Sequence, residues 1–457
     1  MRNVPSWMPA LHPAGGPAYL QIVAALEAAL AQGVLRPGDR LPPQRALAKG
    51  LGVDLGTVTR AYAEAHRRHL LDGVTGRGSF VSAAGERTAA PVDLSMNIPP
   101  PPAGLRLADL LADGLSGVIR RASADMLMSY HAGPGALAER AAAAAWLAPG
   151  FGALDPDRIV VAPGAQAGLA ALLTSLARPG DTILCEALTY PGLRNAAGQL
   201  GLTLAGVAAD ADGPCPDALA QACRRHRPKA FYLVPTIANP TARTLSEARR
   251  RALADTARAE AVPVIEDDPY WRLAGDAPPP LAALRPEAAY HLATLSKALS
   301  PGLRTAFLVA PSVEAAGRMA RALRALNQMP APLMTALVTA WIRDGSAAAL
   351  LAGVRREAAA RQEVARAILP AEAQAHPFGL HVWLPLPERW DRLRLVEAAR
   401  RAGLGLAPAD AFHVSGPVPD AVRLSLGSVP DRARLARALT QLVRVLGAPA
   451  EPAYDVV

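Results

Sequence analysis

Lysine is rare in this sequence, and the position of one lysine suggests a chemical role. Of the 48 lysine and arginine residues only three are lysines, at positions 49, 229 and 297. An amine can lose its proton and form a Schiff base with a carbonyl compound, whereas a guanidinium stays protonated. Lys297 ends the segment Thr294-Leu295-Ser296-Lys297, which directly follows an apolar run. Lys297 is therefore a candidate for covalent carbonyl chemistry, and the ordinary alternative is a surface lysine.

Short β-like runs alternate with helical segments from about residue 125 to about residue 310. The runs cover residues 159–162, 182–186, 203–207, 230–234, 262–266, 289–293 and 306–309. Such alternation predicts an α/β domain with a mostly parallel sheet that helices cover on both faces. From about residue 331, helical runs are followed by strand-like residues 380–384 and 422–426, which predicts a smaller α+β domain.

A helix start with free backbone amides and several polar and aromatic residues follow these runs, at the strand ends where open α/β sheets bind ligands. In chain order they are Ala165 and Gln166, Tyr190, Asn239, Asp267 and Tyr270, and Lys297 and Arg304. Pyridoxal 5'-phosphate (PLP) needs such a set: a lysine for the Schiff base, an aspartate for the pyridine nitrogen, and a helix start, hydroxyls and an arginine for the phosphate. Each residue alone has an ordinary role, such as a loop carboxylate or a packed aromatic, so the prediction depends on the combination.

Residues 1–81 have the pattern of a separate small domain. Apolar residues at helical spacing precede a Gly-Leu-Gly turn at 50–52, and Asp54 is in position to cap the helix that follows. Strand-like residues 70–74 and 79–81 then flank a glycine-containing turn. This order predicts an α+β winged helix-turn-helix domain.

The charge distribution favours a nucleic-acid partner for this domain. Residues 1–81 hold nine Lys/Arg and five Asp/Glu, a net charge of +4 in less than a fifth of the chain. The other 376 residues hold 39 Lys/Arg and 34 Asp/Glu, a net charge of +5. A higher basic density is typical of nucleic-acid binding. On charge alone, a general preference for arginine and a basic surface is the alternative.

Composition bounds the class of protein. With 51% hydrophobic and 19% charged residues, the chain is predicted to be globular. Three cysteines without a CxxC motif and nine histidines without ligand spacing predict no disulfide framework and no metal site. The apolar runs are too interrupted to cross a membrane and no signal-peptide pattern is present, so we expect no membrane partner and a cytoplasmic location. Residues 82–92 are predicted to be a linker, and residues 97–102 a proline-rich, extended arm.

The sequence resembles the MocR subfamily of GntR transcriptional regulators over nearly its whole length. Residues 17–81 are similar to a GntR-type winged helix through "GVLRPGDRLPPQRALAKGLGVDLGTVTRAYAEA" and "GRGSFV". Residues 93–457 resemble fold-type I, PLP-dependent aminotransferases through "NPTARTLSEARR", "EDDPYW" and "SKALSPGLR". The resemblance implies a large part at about 125–330, a small part at about 331–457 together with the arm, and a homodimer with sites shared between subunits.

The resemblance also implies a role for each site residue. Lys297 matches the Schiff-base lysine, Asp267 the partner of the pyridine nitrogen, and Arg423, in "VRLSLGS", the arginine that binds a substrate carboxylate. Asn239 and Tyr270 match the partners of the ring hydroxyl. The other implied cofactor contacts are the stacking Tyr190, the phosphate ligands Ala165, Gln166, Thr294, Ser296 and Arg304, and Tyr130 from the partner subunit.

Three positions depart from the family pattern. Ala165 stands where a hydroxyl residue is common, Ala242 follows Asn-Pro-Thr where glycine is frequent, and Leu55-Gly56 replaces the polar pair usual in the recognition helix. The last change weakens the expectation that this helix reads bases directly. The candidate DNA contacts are Gln44, Arg45, Lys49, Thr57, Thr59, Arg60 and, in the wing, Arg77.

Three functions are compatible with the sequence. The preferred hypothesis is a PLP-binding transcriptional regulator that binds operator DNA and senses an amino compound or PLP itself. The second is an active aminotransferase with an appended DNA-binding domain, since Lys297 and Arg423 are both retained. The third is a dimerisation domain that binds no cofactor, which the retention of Lys297 in so lysine-poor a chain disfavours.

Overall fold

The computed structural model describes residues 7–11, 16–31, 34–36, 38–67, 70–74, 78–81, 91–131 and 133–448. The chain divides into two compact units, Met1–Val92 and Asp93–Val457. The predicted DNA contact Arg77 and residues 82–90 of the predicted linker lie outside the described residues.

The first unit has the predicted helix-turn-helix and wing. Its elements are helices α1 (Ala18–Ala31), α2 (Gln44–Leu51) and α3 (Leu55–Arg67) and the antiparallel strands β1 (Leu71–Val74) and β2 (Gly78–Val81). Gly52 ends α2 in the left-handed region at φ 66°, and the Asp54 carboxylate accepts a hydrogen bond from Gly56 N at 2.5 Å at the start of α3. A buried apolar core holds the three helices together and includes Ile22, Leu26, Leu47, Val58 and Tyr62.

From Val92 onward the described residues form fourteen α-helices and fifteen strands. The helices are α4 (Leu107–Arg121), α5 (Ala124–Leu127), α6 (Leu137–Phe151), α7 (Ala165–Leu176), α8 (Pro191–Gln199), α9 (Pro216–His226), α10 (Glu247–Ala259), α11 (Leu281–Leu284), α12 (Leu295–Ala298), α13 (Val313–Asn327), α14 (Pro332–Asp344), α15 (Ser346–Ile368), α16 (Arg392–Arg401) and α17 (Arg432–Gly447). The strands are β3 (Val92–Asp93), β4 (Ile159–Ala162), β5 (Thr182–Glu186), β6 (Thr203–Val207), β7 (Ala209–Asp210), β8 (Gly213–Pro214), β9 (Ala230–Leu233), β10 (Val264–Asp267), β11 (Ala289–Thr294), β12 (Ala306–Val309), β13 (Gln374–Ala375), β14 (His381–Pro385), β15 (Leu404–Gly405), β16 (Ala407–Pro408) and β17 (Ala421–Ser425).

A seven-stranded sheet forms the centre of the larger unit, in the order β4-β12-β11-β10-β9-β5-β6. Among its described strands β12 alone runs antiparallel to its neighbours, so the predicted mostly parallel sheet is confirmed. Its apolar side chains divide between two core clusters, one with α6, α7 and α13 and the other with α9 and α10. Four of the seven predicted runs coincide with strands, two differ from their strands by one residue at the carboxyl end, and the run 262–266 differs from β10 at both ends.

A second, antiparallel sheet with the order β13-β14-β17-β16 follows the helices of the carboxyl-terminal region. Arg423 lies in β17, opposite Trp383 in β14 and Ala407 in β16. Among the described residues no single helix is both long and apolar enough to span a bilayer; α14 and α15 meet these conditions only when taken together, and they are bent by 85°.

Candidate active site

A cavity of about 240 Å³ lies at the carboxyl ends of β9, β10 and β11. Eight of the predicted site residues line it: Ala165, Tyr190, Asn239, Asp267, Tyr270, Thr294, Lys297 and Arg423. The segment Ser95–Asn97, which precedes α4, completes part of the wall. Parallel strands bring these residues together because their carboxyl ends meet at one edge of the sheet.

Lys297 lies in α12, the single helical turn after β11. Its Nζ amine donates a hydrogen bond to the backbone carbonyl of Asn97. Burial, reinforced by the nearby Arg423 charge, lowers the pKa of Lys297 to about 8, while Asp267 acts in the opposite direction. A larger share of the amine is therefore uncharged near neutral pH than in a free lysine, as attack on a carbonyl requires.

Asp267 is the last residue of β10 and is buried. One carboxylate oxygen, Oδ2, accepts a hydrogen bond of 2.7 Å from the Tyr232 hydroxyl in β9. The other, Oδ1, is buried and has no partner among the described residues. Burial raises the pKa of Asp267 to about 6, so the group stays mostly ionised at pH 7. An unpartnered anionic oxygen in this wall fits the protonated nitrogen of a pyridine ring.

The Tyr270 hydroxyl contacts a residue that the sequence did not single out. The side-chain amide of Asn97 lies 2.9 Å from the Tyr270 oxygen and 3.2 Å from Nδ1 of His381, which is also buried. Asn97 was predicted only as part of an extended arm, because a proline-rich segment carries no signal for a buried side chain. Burial also raises the pKa of Tyr270, which keeps its hydroxyl protonated.

Arg423 is held in place on several sides. Its Nη1 donates to Asn239 Oδ1 at 2.8 Å, and its Nη2 donates to the Ser95 carbonyl. The guanidinium also lies over the Phe412 ring, 4.9 Å from its centroid. Burial lowers the pKa of Arg423, and its Nε has no partner among the described residues. Because the oxygen of Asn239 is committed to Arg423, only its amide nitrogen is left to contact a ring hydroxyl.

The start of α7 has the features of an anion site. Gly164 precedes it at φ 96°, and a Cβ at this position would lie 2.5 Å from the Arg304 guanidinium. The Arg304 guanidinium is held there by a hydrogen bond of 3.3 Å that it donates to the Pro163 carbonyl. The free backbone amides at the helix start and this cation together suit a phosphate group.

The remaining predicted cofactor residues differ in their placement. The Thr294 hydroxyl donates a hydrogen bond of 3.1 Å to the Ser296 hydroxyl. Gln166 donates from its side-chain amide to the Gly192 carbonyl at 2.9 Å, beside the ring of Tyr190. Tyr130 is 83% exposed and does not line the cavity of its own chain.

A buried polar network supports the wall from behind, and the sequence did not reveal it. Arg250 Nη2 donates to Thr236 Oγ1 at 2.9 Å, and Thr236 Oγ1 donates to Asp268 Oδ2 at 2.5 Å. Asp268 Oδ1 in turn accepts hydrogen bonds from the backbone amides of Tyr270 and Trp271 at 3.3 and 3.0 Å. The network ties the loop after β9 to the loop after β10, and so links the two loops that carry Asn239 and Tyr270.

The candidate DNA contacts form two groups in the first unit. Arg45 and Lys49 are exposed on α2, and Thr57 is partly buried in α3. The others contact neighbouring elements: Thr59 Oγ1 donates to Gln44 Oε1 at 2.9 Å, and the Arg60 guanidinium lies 4.6 Å from the centroid of the Tyr19 ring. Leu55 and Gly56, the unusual pair of the recognition helix, are both exposed.

Comparison with known families gives two matches that together span most of the chain. Residues 18–81 match the bacterial regulatory proteins of the gntR family, and residues 91–442 match the aminotransferases of class I and II. The class I and II aminotransferase fold is PLP-dependent, so the predicted cofactor is confirmed.

Individual proteins show the same two resemblances. The chain is 31% identical to the HTH-type transcriptional regulator YdeF of Bacillus subtilis, over 96% of this chain and 97% of that protein. It is 30% identical to the vitamin B6 salvage pathway transcriptional repressor PtsJ of Salmonella typhimurium, over 87% of this chain and 92% of that protein. Among solved structures, LysN, the α-aminoadipate aminotransferase of Thermus thermophilus, superposes with a TM-score of 0.71 at 25% identity, over 84% of this chain and 98% of that one.

Proposed function

The chain belongs to the class I and II aminotransferase family and combines that domain with a GntR-family domain, as MocR-type regulators do, and we propose that it is a PLP-binding transcriptional regulator. Residues 1–81 bind operator DNA, residues 82–92 form the linker, and residues 93–457 hold the cofactor and sense an amino compound or PLP itself. A coupling of about 1–3 kcal/mol between the pocket and the DNA site is enough for a switch. The regulator works in the cytoplasm, without a membrane partner.

The convergence of Lys297, Asp267, Tyr270 and Arg423 on one cavity supports this proposal. When bound, PLP supplies an aldehyde for the lysine and a ring that withdraws electrons. Asp267 offers its unpartnered oxygen to the ring nitrogen, and Tyr270 with the Asn239 amide nitrogen contacts the ring hydroxyl. Tyr190 stacks on the ring. The phosphate is held by the amides of Ala165 and Gln166, by Thr294 and Ser296, and by Arg304. Arg423 binds the carboxylate of the sensed compound.

Four exposed apolar side chains, close together in sequence, support the homodimer. Met126, Met128, Tyr130 and Leu137 are all more than 60% exposed, although monomeric proteins rarely group large apolar side chains on the surface. Burial of these side chains against a second copy would bring Tyr130 into an interface, where it could reach the phosphate of the partner's site. Size-exclusion chromatography with light scattering measures the oligomeric state directly.

The DNA-binding proposal is tested by fluorescence anisotropy with the upstream intergenic DNA of the protein's own gene. Titrations at fixed salt, with and without PLP, are compared with a random duplex of equal length. We expect tighter binding to the upstream DNA and a change in affinity on addition of PLP. The matched control is Lys297→Ala, which keeps the winged helix but should lose the response to PLP. Equal affinity for both duplexes in both states would refute the regulator.

A second function, aminotransferase activity, is favoured by the retention of Arg423 and Lys297 in the same cavity. Conversion of an amino donor and a 2-oxo acid by the PLP-loaded protein, abolished in Lys297→Ala, would establish it. An absence of turnover across a broad panel of donors would leave the regulator as the sole function of the site.

A further inference from the structure

The buried imidazole of His381 sets the polarity of a hydrogen-bond chain. Its Nε2 lies 3.2 Å from the Ala238 carbonyl, and its Nδ1 lies 3.2 Å from the side-chain amide of Asn97. Burial, with the nearby Arg423 charge, lowers the pKa of His381 to about 3, so the ring is neutral at physiological pH. A carbonyl can only accept, so Nε2 carries the proton of the neutral ring and Nδ1 is left as an acceptor.

This polarity determines the orientation of the Asn97 amide. An acceptor at His381 Nδ1 requires the nitrogen of the amide on that side, so Nδ2 donates there. The same nitrogen lies 2.9 Å from the Tyr270 oxygen and donates to it with its second hydrogen. The Tyr270 oxygen is therefore an acceptor within the protein, and its own proton is available for a group inside the cavity that Asn97 and Tyr270 both line.

Asn97 itself is well fixed in this position. It is 6% exposed, so its side chain is buried in the protein. The neighbouring backbone is held as well, because Leu94 N donates to the Gly405 carbonyl at 2.8 Å and Ser425 N donates to the Leu94 carbonyl at 2.7 Å. A small rotation of the amide would thus lose contacts to both His381 and Tyr270.

We propose that Asn97 is a positioning residue of the PLP site, oriented by His381, which turns the Tyr270 hydroxyl into a donor toward the ring oxygen of the cofactor. The inference rests on the proposed function, since it requires that the cavity holds PLP. Asn97 acts through Tyr270, and its removal has the same kind of effect as removal of the hydroxyl. The charge on the ring oxygen is then less stabilised, which changes the proton affinity of the bound cofactor.

The test is a pH titration of the visible absorbance of the full-length, PLP-saturated protein. Tyr270→Phe sets the direction of the change in the titration midpoint. Asn97→Leu, which is nearly isosteric, should move the midpoint in the same direction by at least about half a pH unit, a threefold change in proton affinity. The double variant should match Tyr270→Phe alone, because two residues that act through one hydroxyl are not additive. Ile98→Val, a packing change next to Asn97, is the control and should leave the midpoint where it is.

Each outcome supports or overturns the inference. An unchanged midpoint in Asn97→Leu, or a double variant whose shift is the sum of the two single shifts, overturns it. If Asn97→Leu does not fold, Asn97→Ser serves, since it also removes the amide nitrogen. A wild-type protein without a PLP absorbance band overturns the proposed function and this inference together, whereas a band with an unmoved midpoint in the Asn97 variants overturns the inference alone.

Discussion

The backbone carbonyl of Asn97 accepts a hydrogen bond from the amine of Lys297, 200 residues further along the chain. Two residues earlier, the Ser95 carbonyl accepts a hydrogen bond from Arg423 in the same way. Neither cation forms an ion pair with a carboxylate among the described residues. An aldehyde that reacts with Lys297, or a carboxylate that binds Arg423, therefore replaces a hydrogen bond to a neutral carbonyl. Losing such a bond costs less free energy than breaking an ion pair.

The lowered pKa of Lys297 predicts how the reaction with PLP depends on pH. The uncharged amine is the reactive form, so the association rate should rise about tenfold per pH unit at acidic pH and level off above about pH 8. An exposed lysine, by contrast, would give a rise up to about pH 10. Stopped-flow absorbance after mixing PLP with the cofactor-free protein measures the profile.

The control for this profile is reduction of the PLP adduct with borohydride, followed by peptide mapping. Lys229, on the surface, is the internal reference in the same sample. At pH 8 the label should be found at Lys297 rather than at Lys229 or Lys49. A rate that keeps rising beyond pH 9, or label spread evenly over the three lysines, would show that the site does not activate its amine.

The buried Arg250 should be one of the largest single contributors to the stability of the second unit. Its guanidinium lies 3.8 Å from Glu266 and 3.9 Å from Asp268, and all three side chains are fully buried. Arg250→Met leaves the buried Asp268 without its cation and leaves Glu266 with the His291 imidazole as its neighbour, which should lower the free energy of unfolding by about 3–5 kcal/mol. Denaturant unfolding followed by tryptophan fluorescence suits this unit, because five of the six tryptophans lie in it.

The neighbouring Arg251 provides the matched control for this measurement. It is about half exposed and pairs with Glu247 at 2.7 Å on the surface of α10. Arg251→Met should therefore lower the free energy of unfolding by less than about 0.5 kcal/mol. Similar losses for the two variants would mean that the buried network does not stabilise the fold.

Much of the fold could be predicted because its signals are local. Four strands of the central sheet were predicted to the residue, since buried parallel strands are short apolar runs between turn residues. Strand β10 begins at Val264 rather than at 262, because Val262 N donates to the Ala257 carbonyl of α10 and Pro263 has no N–H to donate to a neighbouring strand. Hydrophobicity alone does not mark where hydrogen bonding between strands begins.

The site was predictable only in part, for a physical reason. Residues that directly follow strands, such as Asp267 and Lys297, are placed by the topology of the sheet. Asn97, which lines the cavity, and His381, which contacts Asn97, come from segments distant in sequence, and only tertiary packing brings them together. Tyr232 did carry a signal, since a tyrosine in an otherwise apolar, buried strand needs a partner for its hydroxyl.

Gly164 should be essential for phosphate binding. A Cβ at this position would lie 2.5 Å from the Arg304 guanidinium, and the backbone at φ 96° disfavours other residues. Gly164→Ala should displace Arg304 and weaken PLP binding by about tenfold or more, the loss expected for a charge-assisted contact. Gly198→Ala, in open space on α8, is the control, and equilibrium dialysis of PLP against both variants measures the difference. Equal affinity of the two variants for PLP would mean that the phosphate does not bind at the start of α7.

Arg45 should contribute to DNA binding through a phosphate contact. It is exposed on α2, in the basic first unit, and it does not belong to the group that contacts other helices, such as Arg60. Arg45→Ala should weaken binding to specific and random DNA alike and reduce the slope of log affinity against log salt by about one. Arg318→Ala, which removes an exposed cation of α13 paired with Glu314, is the control and should leave both quantities unchanged. Salt-dependent anisotropy titrations of the two variants give the comparison.

Equal effects of the two substitutions would mean that the winged helix is not the surface that contacts DNA. A loss of affinity in Arg45→Ala that is confined to the specific duplex would mean that Arg45 contacts a base rather than a phosphate.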